Sequence, residues 1–306
     1  MSMTQRGTRS PVPIRRIARP IGRPLKRLNE RLGRRIFGNT NTLSLNLKGA
    51  WHIARCRLAS GRIKTRPTSL DAGRLKTNGY VRLPERLDPA TMADIRAAFE
   101  VLIEKPEYHE ANEKYGRDRT DIHWSIPNAH LRIPAIARVL SSNLRAALEQ
   151  YYKAYFAVVQ VVAYRNYAVP TEIAEGESYS SNWHCDARRP SLLKLMLNIS
   201  DVTGQDGPFH VVSRQRTRTL LTMGFKNRHG YGLPDDVMED PRHVVKLVGP
   251  SGTGMLCCTY RCLHRAGIPA PGRHRDLLRM VFVPSARPLA DDWVNRPVTG
   301  HRQWVR

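Results

Sequence analysis

Long apolar runs are missing from this 306-residue chain. None approaches the roughly 18 consecutive apolar residues that a bilayer-spanning helix requires. No apolar core follows the basic start either, so the opening residues do not read as a secretory signal peptide. Cysteine is scarce. The five present form an odd set without the spacing of a small disulfide-stapled domain, which points to a reducing, cytoplasmic compartment. Cys257, Cys258 and Cys262 lie close together but make no CxxC pair, and they read as buried strand residues instead of a zinc site. Acidic residues are nearly absent from the first 70 positions, where 17 Lys/Arg face Glu30 alone. The remaining residues hold 33 Lys/Arg and 25 acids, so most of the net charge of +24 belongs to the beginning of the chain. Such a segment suits an anionic membrane surface or another polyanion, which fits a cytoplasmic protein peripheral to a membrane. No helix-turn-helix, zinc-finger or RNP-like aromatic pattern accompanies it, so there is no specific nucleic-acid motif. Internal repeats are absent, and nothing in the sequence specifies an oligomeric state.

What is present divides into two parts. Residues 1–70 read as a basic, partly helical or disordered N-terminal extension, and residues 71–306 as one domain. Pro11, Pro13, Pro20 and Pro24 interrupt the start. After Pro24, Leu25, Leu28, Leu32 and Ile36 recur at three- and four-residue spacing between arginines and lysines, which predicts a short basic amphipathic helix stopped by Gly38. The compact pattern begins at Gly79 with a short strand. Asp88 as N-cap and Pro89 as first helical residue then open a helix to about Glu104, with Met92, Ile95, Phe99 and Ile103 on one face. Residues 105–132 are polar and irregular, and two short helices fit 134–140 and 143–152. Beyond residue 155 most apolar runs have strand length: 156–164, 192–199, 209–212, 243–247, 255–263 and 277–283. Turn chemistry at 204–208 and 249–252 separates some of them. The class expected is α+β, mainly β, with a β-sandwich or jelly roll.

The sharpest chemical feature is His184-Cys185-Asp186. In extended backbone, residues i and i+2 point to one face, so an imidazole and a carboxylate can converge on one ion. A second imidazole from a distant strand completes a 2-His-1-carboxylate triad. That set covers one face of an octahedral metal, leaves three positions open and marks oxygen-activating non-haem iron(II). Alone, an HxD is weak evidence. His264 strengthens it: it follows a strand-like segment, precedes the turn-prone 265–269, and lies 78 residues beyond Asp186. Arg275 follows eleven residues later at the entrance of the next apolar strand, where a buried guanidinium can pair bidentately with a carboxylate. With Arg273 and Arg279 nearby, a surface arginine is the alternative.

On these residues the sequence resembles the phytanoyl-CoA dioxygenase-like family of Fe(II)/2-oxoglutarate-dependent oxygenases. The resemblance runs from Gly79 to Pro284. It includes Gly79-Tyr80-Val81 with Leu87-Asp88-Pro89, Trp183-His184-Cys185-Asp186 and the stretch from Leu193 to Val202. It continues through Gly207-Pro208-Phe209-His210-Val211-Val212 and ends with His264-Arg265-Ala266-Gly267 and Arg275. Two positions depart from the family. Ser213-Arg214-Gln215-Arg216 stands where Pro-Gly-Ser-His is usual, and Thr253-Gly254 where Gly-Asp is usual.

The resemblance implies a double-stranded β-helix (jelly-roll, cupin-like) core flanked by helices. It implies Fe(II) on His184, Asp186 and His264, with 2-oxoglutarate and O2 as cosubstrates. Arg275 would hold the distal carboxylate of 2-oxoglutarate, and Thr259 is a weaker candidate for the same task. Aspartate at 186, where related halogenases have a small residue, favours hydroxylation with release of succinate and CO2. The substrate is expected to be a small or lipid-like, anionic organic molecule, with Asn166, Trp183, Arg188 and Arg189 as candidate contacts. Tyr167 is a further pocket candidate, and Lys194 faces the oxoglutarate or the interior without a catalytic role. The competing reading is a nucleic-acid- or membrane-surface-binding protein that uses its basic N-terminus on a non-catalytic jelly roll.

Overall fold

The computed structural model describes residues 19–61, 63, 66–109, 122–170, 178–186, 191–226, 228 and 232–298. Arg188 and Arg189 lie outside these residues.

Seven helices occur among them: α1 (Arg19–Phe37), α2 (Leu43–Ser60), α3 (Ala72–Asn78), α4 (Pro89–Ile103), α5 (Ser142–Tyr152), α6 (Arg214–Thr222) and α7 (Asp235–Met238). Several start where side chains satisfy surplus N–H groups. Asp88 accepts from the Thr91 N–H at 2.8 Å, and Pro89 occupies the first turn of α4. Ser141 and Ser213 cap α5 and α6 in the same way. Helix α3 ends at Gly79, where φ is 83° and an added Cβ would stand 2.2 Å from the Cys262 sulfur. Both the left-handed backbone and the missing space require glycine there.

The strands form two antiparallel sheets. The larger contains β1 (Tyr80–Arg82), β2 (His123–Pro127), β3 (Tyr155–Tyr167), β4 (Leu193–Asn198), β7 (Gly254–Cys257) and β9 (His274–Ser285), ordered β1-β7-β4-β9-β3-β2. The smaller holds β5 (Phe209–Val212), β6 (Val244–Lys246) and β8 (His264–Ala266), ordered β6-β5-β8. Because side chains alternate along a strand, the large sheet has two different faces. Its outer face presents Leu193, Leu195, Leu197, Leu278, Met280 and Phe282 to the buried faces of α4 and α5, forming the main core. The inner face presents Val162, Tyr164, Met196, Met255 and Leu277 to Phe209, Val211 and Leu247 of the small sheet and its flanks. The arrangement is an open jelly roll of mixed helix and antiparallel sheet, without a closed barrel among the described residues.

Several elements differ from the sequence pattern. The stretch 105–132, polar in composition, holds strand β2, which pairs with β3 at the edge of the large sheet, and helices α3 and α6 add to the expected set. The apolar run 255–263 is not one strand: β7 and β8 belong to different sheets, and the chain crosses between them at 258–263. The crossing is hidden because Cys258, Tyr260, Cys262 and Leu263 are as buried as strand residues. Helix α1 begins before Pro24 and runs through it. Pro20 lies in the first turn, where its missing N–H is no loss, and Pro24 removes a single bond. Helix α2 gives little periodic signal because its buried positions are Asn46, Gly49 and Cys56, while Leu47, Trp51 and Leu58 face outward.

Helices α1 and α2 pack on each other through Asn29, whose amide donates to Ser44 Oγ and accepts from the Ser44 N–H, both at 3.0 Å. Arg57 Nε donates to the Tyr152 carbonyl at 2.7 Å, and the Ser60 hydroxyl to that of Ser285 at 3.2 Å. The described part of the basic segment is therefore joined to the domain.

Candidate metal centre

Backbone pairing brings the two histidines together. His184 and His264 sit opposite each other in an antiparallel bridge and exchange N–H···O bonds of 3.1 and 3.0 Å. Their ring centroids are 4.3 Å apart. Two residues on, the Asp186 N–H donates to the Thr259 carbonyl at 3.0 Å, which keeps the segment extended and returns the carboxylate to the face of the imidazoles. Asp186 Oδ1 then lies 3.8 Å from the Nε2 of each histidine. All three candidate ligand atoms fall within 4.8 Å of one another.

The tautomers follow from the partners. His184 Nδ1 donates to the Asn182 carbonyl at 2.7 Å, and His264 Nδ1 to the Cys262 carbonyl at 3.0 Å. A carbonyl only accepts, so each Nδ1 carries the hydrogen and each neutral Nε2 presents its lone pair toward Asp186. Burial pushes the His184 imidazole down to about 3 and the His264 imidazole down to about 4; the Asp186 charge opposes this and does not reverse it. For Asp186, burial opposes ionisation, but the Lys194 ammonium 2.7 Å from Oδ2 and the two histidines hold it well below the usual carboxylate range. At neutral pH the group is one carboxylate and two neutral imidazoles, a donor set suited to a divalent transition metal.

The far side of the centre is clasped from the N-terminal segment. In the turn between α1 and α2, the Asn41 amide donates to the carbonyls of Asp186 at 3.0 Å and Tyr260 at 3.2 Å. Asn41 is itself held by Asn39, whose Oδ1 accepts the Asn41 N–H at 2.9 Å, and Asn39 donates to Asn46 at 2.8 Å. All three asparagines are buried. Both backbone polar groups of Asp186 are thus fixed, one by the β7–β8 crossing and one by a residue 145 positions earlier.

In front of the triad lies a cavity of about 570 Å³ between the two sheets. The large sheet contributes His123, Gln160, Tyr164, Asn166, Lys194, Arg275 and Arg279; the small sheet contributes Phe209, His264 and Ala266. Arg275 is only 1% exposed, yet its Nε and Nη1 have no hydrogen-bond partner. Arg279, four residues further along β9 on the same face, sits over the Tyr164 ring at 5.6 Å and also has an unpartnered Nε. Buried guanidinium N–H groups without acceptors are costly, so their retention facing a cavity marks a place for an anion.

Sequence expectations divide at this point. His184, Asp186, His264, Arg275, Asn166 and Lys194 all line the cavity. Asn166 is oriented by His123, whose Nδ1 donates to its Oδ1 at 2.6 Å. Trp183 does not line the cavity: it is buried in a cluster beside the small sheet and donates to Glu239 at 2.7 Å. Thr259 does not line it either. It belongs to the crossing and meets the centre through its carbonyl, while its buried hydroxyl has no partner. Tyr167 is also absent from the lining; its carbonyl accepts from the Tyr179 hydroxyl at 2.9 Å. Sequence reading missed His123, Tyr179, Arg279 and Asn41. For Arg279, the signal available was its i+4 position after Arg275 on one strand face; for Asn41 there was none.

Neither a family model nor a curated protein sequence matches the chain. Solved structures do match its fold. EctD from S. alaskensis with 2-oxoglutarate and 5-hydroxyectoine gives a TM-score of 0.51 at 16% identity, over 74% of this chain and 80% of that one. The same protein with bound Fe gives 0.51 at 17% identity, over 79% and 86%. The epimerase SnoN in complex with Fe3+, alpha ketoglutarate and nogalamycin RO gives 0.50 at 16% identity, over 70% and 82%. The likeness is one of fold: the jelly roll used by Fe/2-oxoglutarate-dependent enzymes.

Proposed function

We propose that this chain is a non-haem iron(II)- and 2-oxoglutarate-dependent dioxygenase of the phytanoyl-CoA dioxygenase-like kind. In this reading it hydroxylates a small or lipid-like anionic molecule. The observation that carries the reading is the convergence of His184, Asp186 and His264 at one end of a cavity whose other lining includes the orphaned guanidinium of Arg275.

The residues fit the group they would hold. Two neutral Nε2 atoms and one ionised carboxylate suit iron(II) and leave positions open for the cosubstrate. Arg275, buried and lacking acceptors, suits the distal carboxylate of 2-oxoglutarate, since a planar guanidinium takes a carboxylate through two parallel bonds. With iron and 2-oxoglutarate bound, O2 is reduced, 2-oxoglutarate is split to succinate and CO2, and one oxygen atom is delivered to a substrate C–H bond. The chain's own work is to bind, orient and exclude. Lys194 keeps Asp186 ionised. Thr259 and Asn41 hold the Asp186 backbone. His123 fixes the Asn166 amide at the cavity wall. The apolar wall of Phe209, Leu192, Met196 and Val281 limits water around the reacting atoms. Arg279, unmatched by any carboxylate among the described residues, suits an anionic group on the substrate. Arg188 and Arg189, just past Asp186 in sequence, are further candidates for that contact. Residues 71–306 would form the oxygenase domain and residues 1–70 a basic extension, whose described helices α1 and α2 hydrogen-bond to it.

The experiment is succinate release from 2-oxoglutarate by purified protein with iron(II), run beside Asp186→Ala. The wild type should turn over and form a weak visible charge-transfer band when iron(II) and 2-oxoglutarate are added without oxygen. Asp186→Ala should do neither. Equal succinate release by both proteins would remove the assignment.

A further inference from the structure

The basic helices α1 and α2 carry an apolar surface that the domain leaves uncovered. On α2, positions 47, 51 and 58 fall on one face at 3.6 residues per turn, and Leu47, Trp51 and Leu58 are 52%, 68% and 81% exposed. On α1, Leu25, Leu28 and Ile36 are each more than half exposed. Single exposed leucines need no explanation, but six large apolar residues on two helices packed together do. Interleaved with them are Lys26, Arg27, Arg31, Arg35, Lys48 and Arg55, all exposed. The only acid on either helix is Glu30.

We propose that this face of the α1–α2 hairpin is a docking surface for an anionic lipid bilayer, lying in the interface without crossing it. No helix among the described residues is long and apolar enough to span a membrane. The charge and the apolar stripe together select the occupant. A nucleic acid would satisfy the lysines and arginines but leave the leucines and Trp51 against phosphate. A second copy would cover the apolar residues but bring two strongly cationic faces together. A bilayer of anionic lipids accepts both: phosphates meet the basic side chains, and the acyl boundary takes the leucines while the indole sits at the headgroup level. The hairpin is also tied mechanically to the metal centre, because Asn41 in its turn holds the Asp186 carbonyl. A docked protein therefore keeps its cavity at a fixed height from the lipid, which suits a lipid-like substrate.

The test needs no turnover and stands apart from the assignment of the metal. Full-length protein is sedimented with vesicles of phosphatidylcholine, with and without phosphatidylglycerol. Binding should require phosphatidylglycerol, fall with added salt, and weaken by about tenfold or more in the double variant Trp51→Glu/Leu58→Glu. Both positions are exposed, so the fold should be retained, checked by circular dichroism. Failure of the wild type to bind anionic vesicles would overturn the proposal. So would undiminished vesicle binding by the double variant, or loss of binding only on removal of residues 1–18. Binding to RNA and vesicles that the double variant leaves unchanged would assign the basicity to a polyanion instead. A dimer dispersed by the double variant, with no vesicle binding, would assign the face to self-association.

Discussion

Arg165 and Arg275 stand on neighbouring strands, one register step apart, and both are buried in the large sheet. Their surroundings are opposite. Arg165 faces the helices: its Nε and Nη2 grip Asp276 at 2.7 and 3.0 Å, while Nη2 and Nη1 also reach Glu100 and Glu104. Arg275 faces the cavity, where Nε and Nη1 meet nothing. The same side chain serves on one face as a fully bonded tie between strands and helix α4, and on the other as a group held ready for an absent acceptor. Saturated hydrogen bonding marks the stabilising face, and missing hydrogen bonding marks the binding face.

The strongest way to break this comparison is to remove Arg165. Arg165→Met would leave the fully buried Asp276 carboxylate with only the part-exposed His274 ring, 3.5 Å away, and should cost about 3 kcal/mol, read from chemical denaturation. Whatever protein remains folded should keep its affinity for 2-oxoglutarate. Next in size is the response to acid. Burial pushes His123 on the cavity face down to about 4 and His210 on the small sheet down to about 3. Both stay neutral when folded but protonate near 6.5 when unfolded, so the unfolded chain binds more protons as pH falls. Their contribution is complete above pH 6.5 and is lost toward pH 4, and thermal melts at pH 7 and 5 should differ by on the order of 3 kcal/mol. Equal melting at the two values would mean that these rings are not buried neutral.

Arg275→Met tests the other half of the comparison. Because no partner is left behind, stability should be unchanged or slightly higher, while the KM for 2-oxoglutarate rises roughly a hundredfold. A destabilised variant with normal KM would make Arg275 another structural tie. The smallest effect belongs to Asn41→Ala, which leaves the Asp186 and Tyr260 carbonyls unpaired. It should lose about 1–2 kcal/mol of stability and about tenfold in iron(II) affinity, measured by metal titration. Unaltered affinity would confine the clasp to folding.

How much of this was legible in the sequence depended on how far each signal reached along the chain. The HxD could be read because its geometry is local: two side chains two residues apart in extended backbone. His264 and Arg275 came with it through their place around a strand and through family resemblance. Strand runs such as β3 and β9 were visible as β-branched and apolar stretches, although both extend further than hydrophobicity alone marks. The β7–β8 crossing was not visible, because a turn buried between two sheets has no polar residues to announce it. Helix α2 was not visible either, because hydrophobicity normally marks the buried face and here marks the exposed one. Trp183 and Thr259 were misplaced for a related reason. Adjacency to the triad in sequence puts Trp183 on the opposite face of an extended segment from its histidine neighbour, and Thr259 sits where only the main chain reaches the centre. Asn41 was beyond reach, since one amide 145 positions away in the chain carries no pattern.

The two histidines share a device whose consequence extends past the centre itself. Each ring is oriented by a carbonyl two residues earlier in its own segment, Asn182 for His184 and Cys262 for His264. Main chain therefore sets the tautomer that leaves each Nε2 lone pair toward Asp186, and no neighbouring side chain has to be kept for that purpose. Apart from Lys194, which pairs with Asp186, the lining has no part in orienting the two rings: residues such as Gln160, Tyr164, Met196 and Arg279 can be exchanged while the triad stays where the ladder holds it. A centre organised in this way is a fixed tool in a replaceable handle.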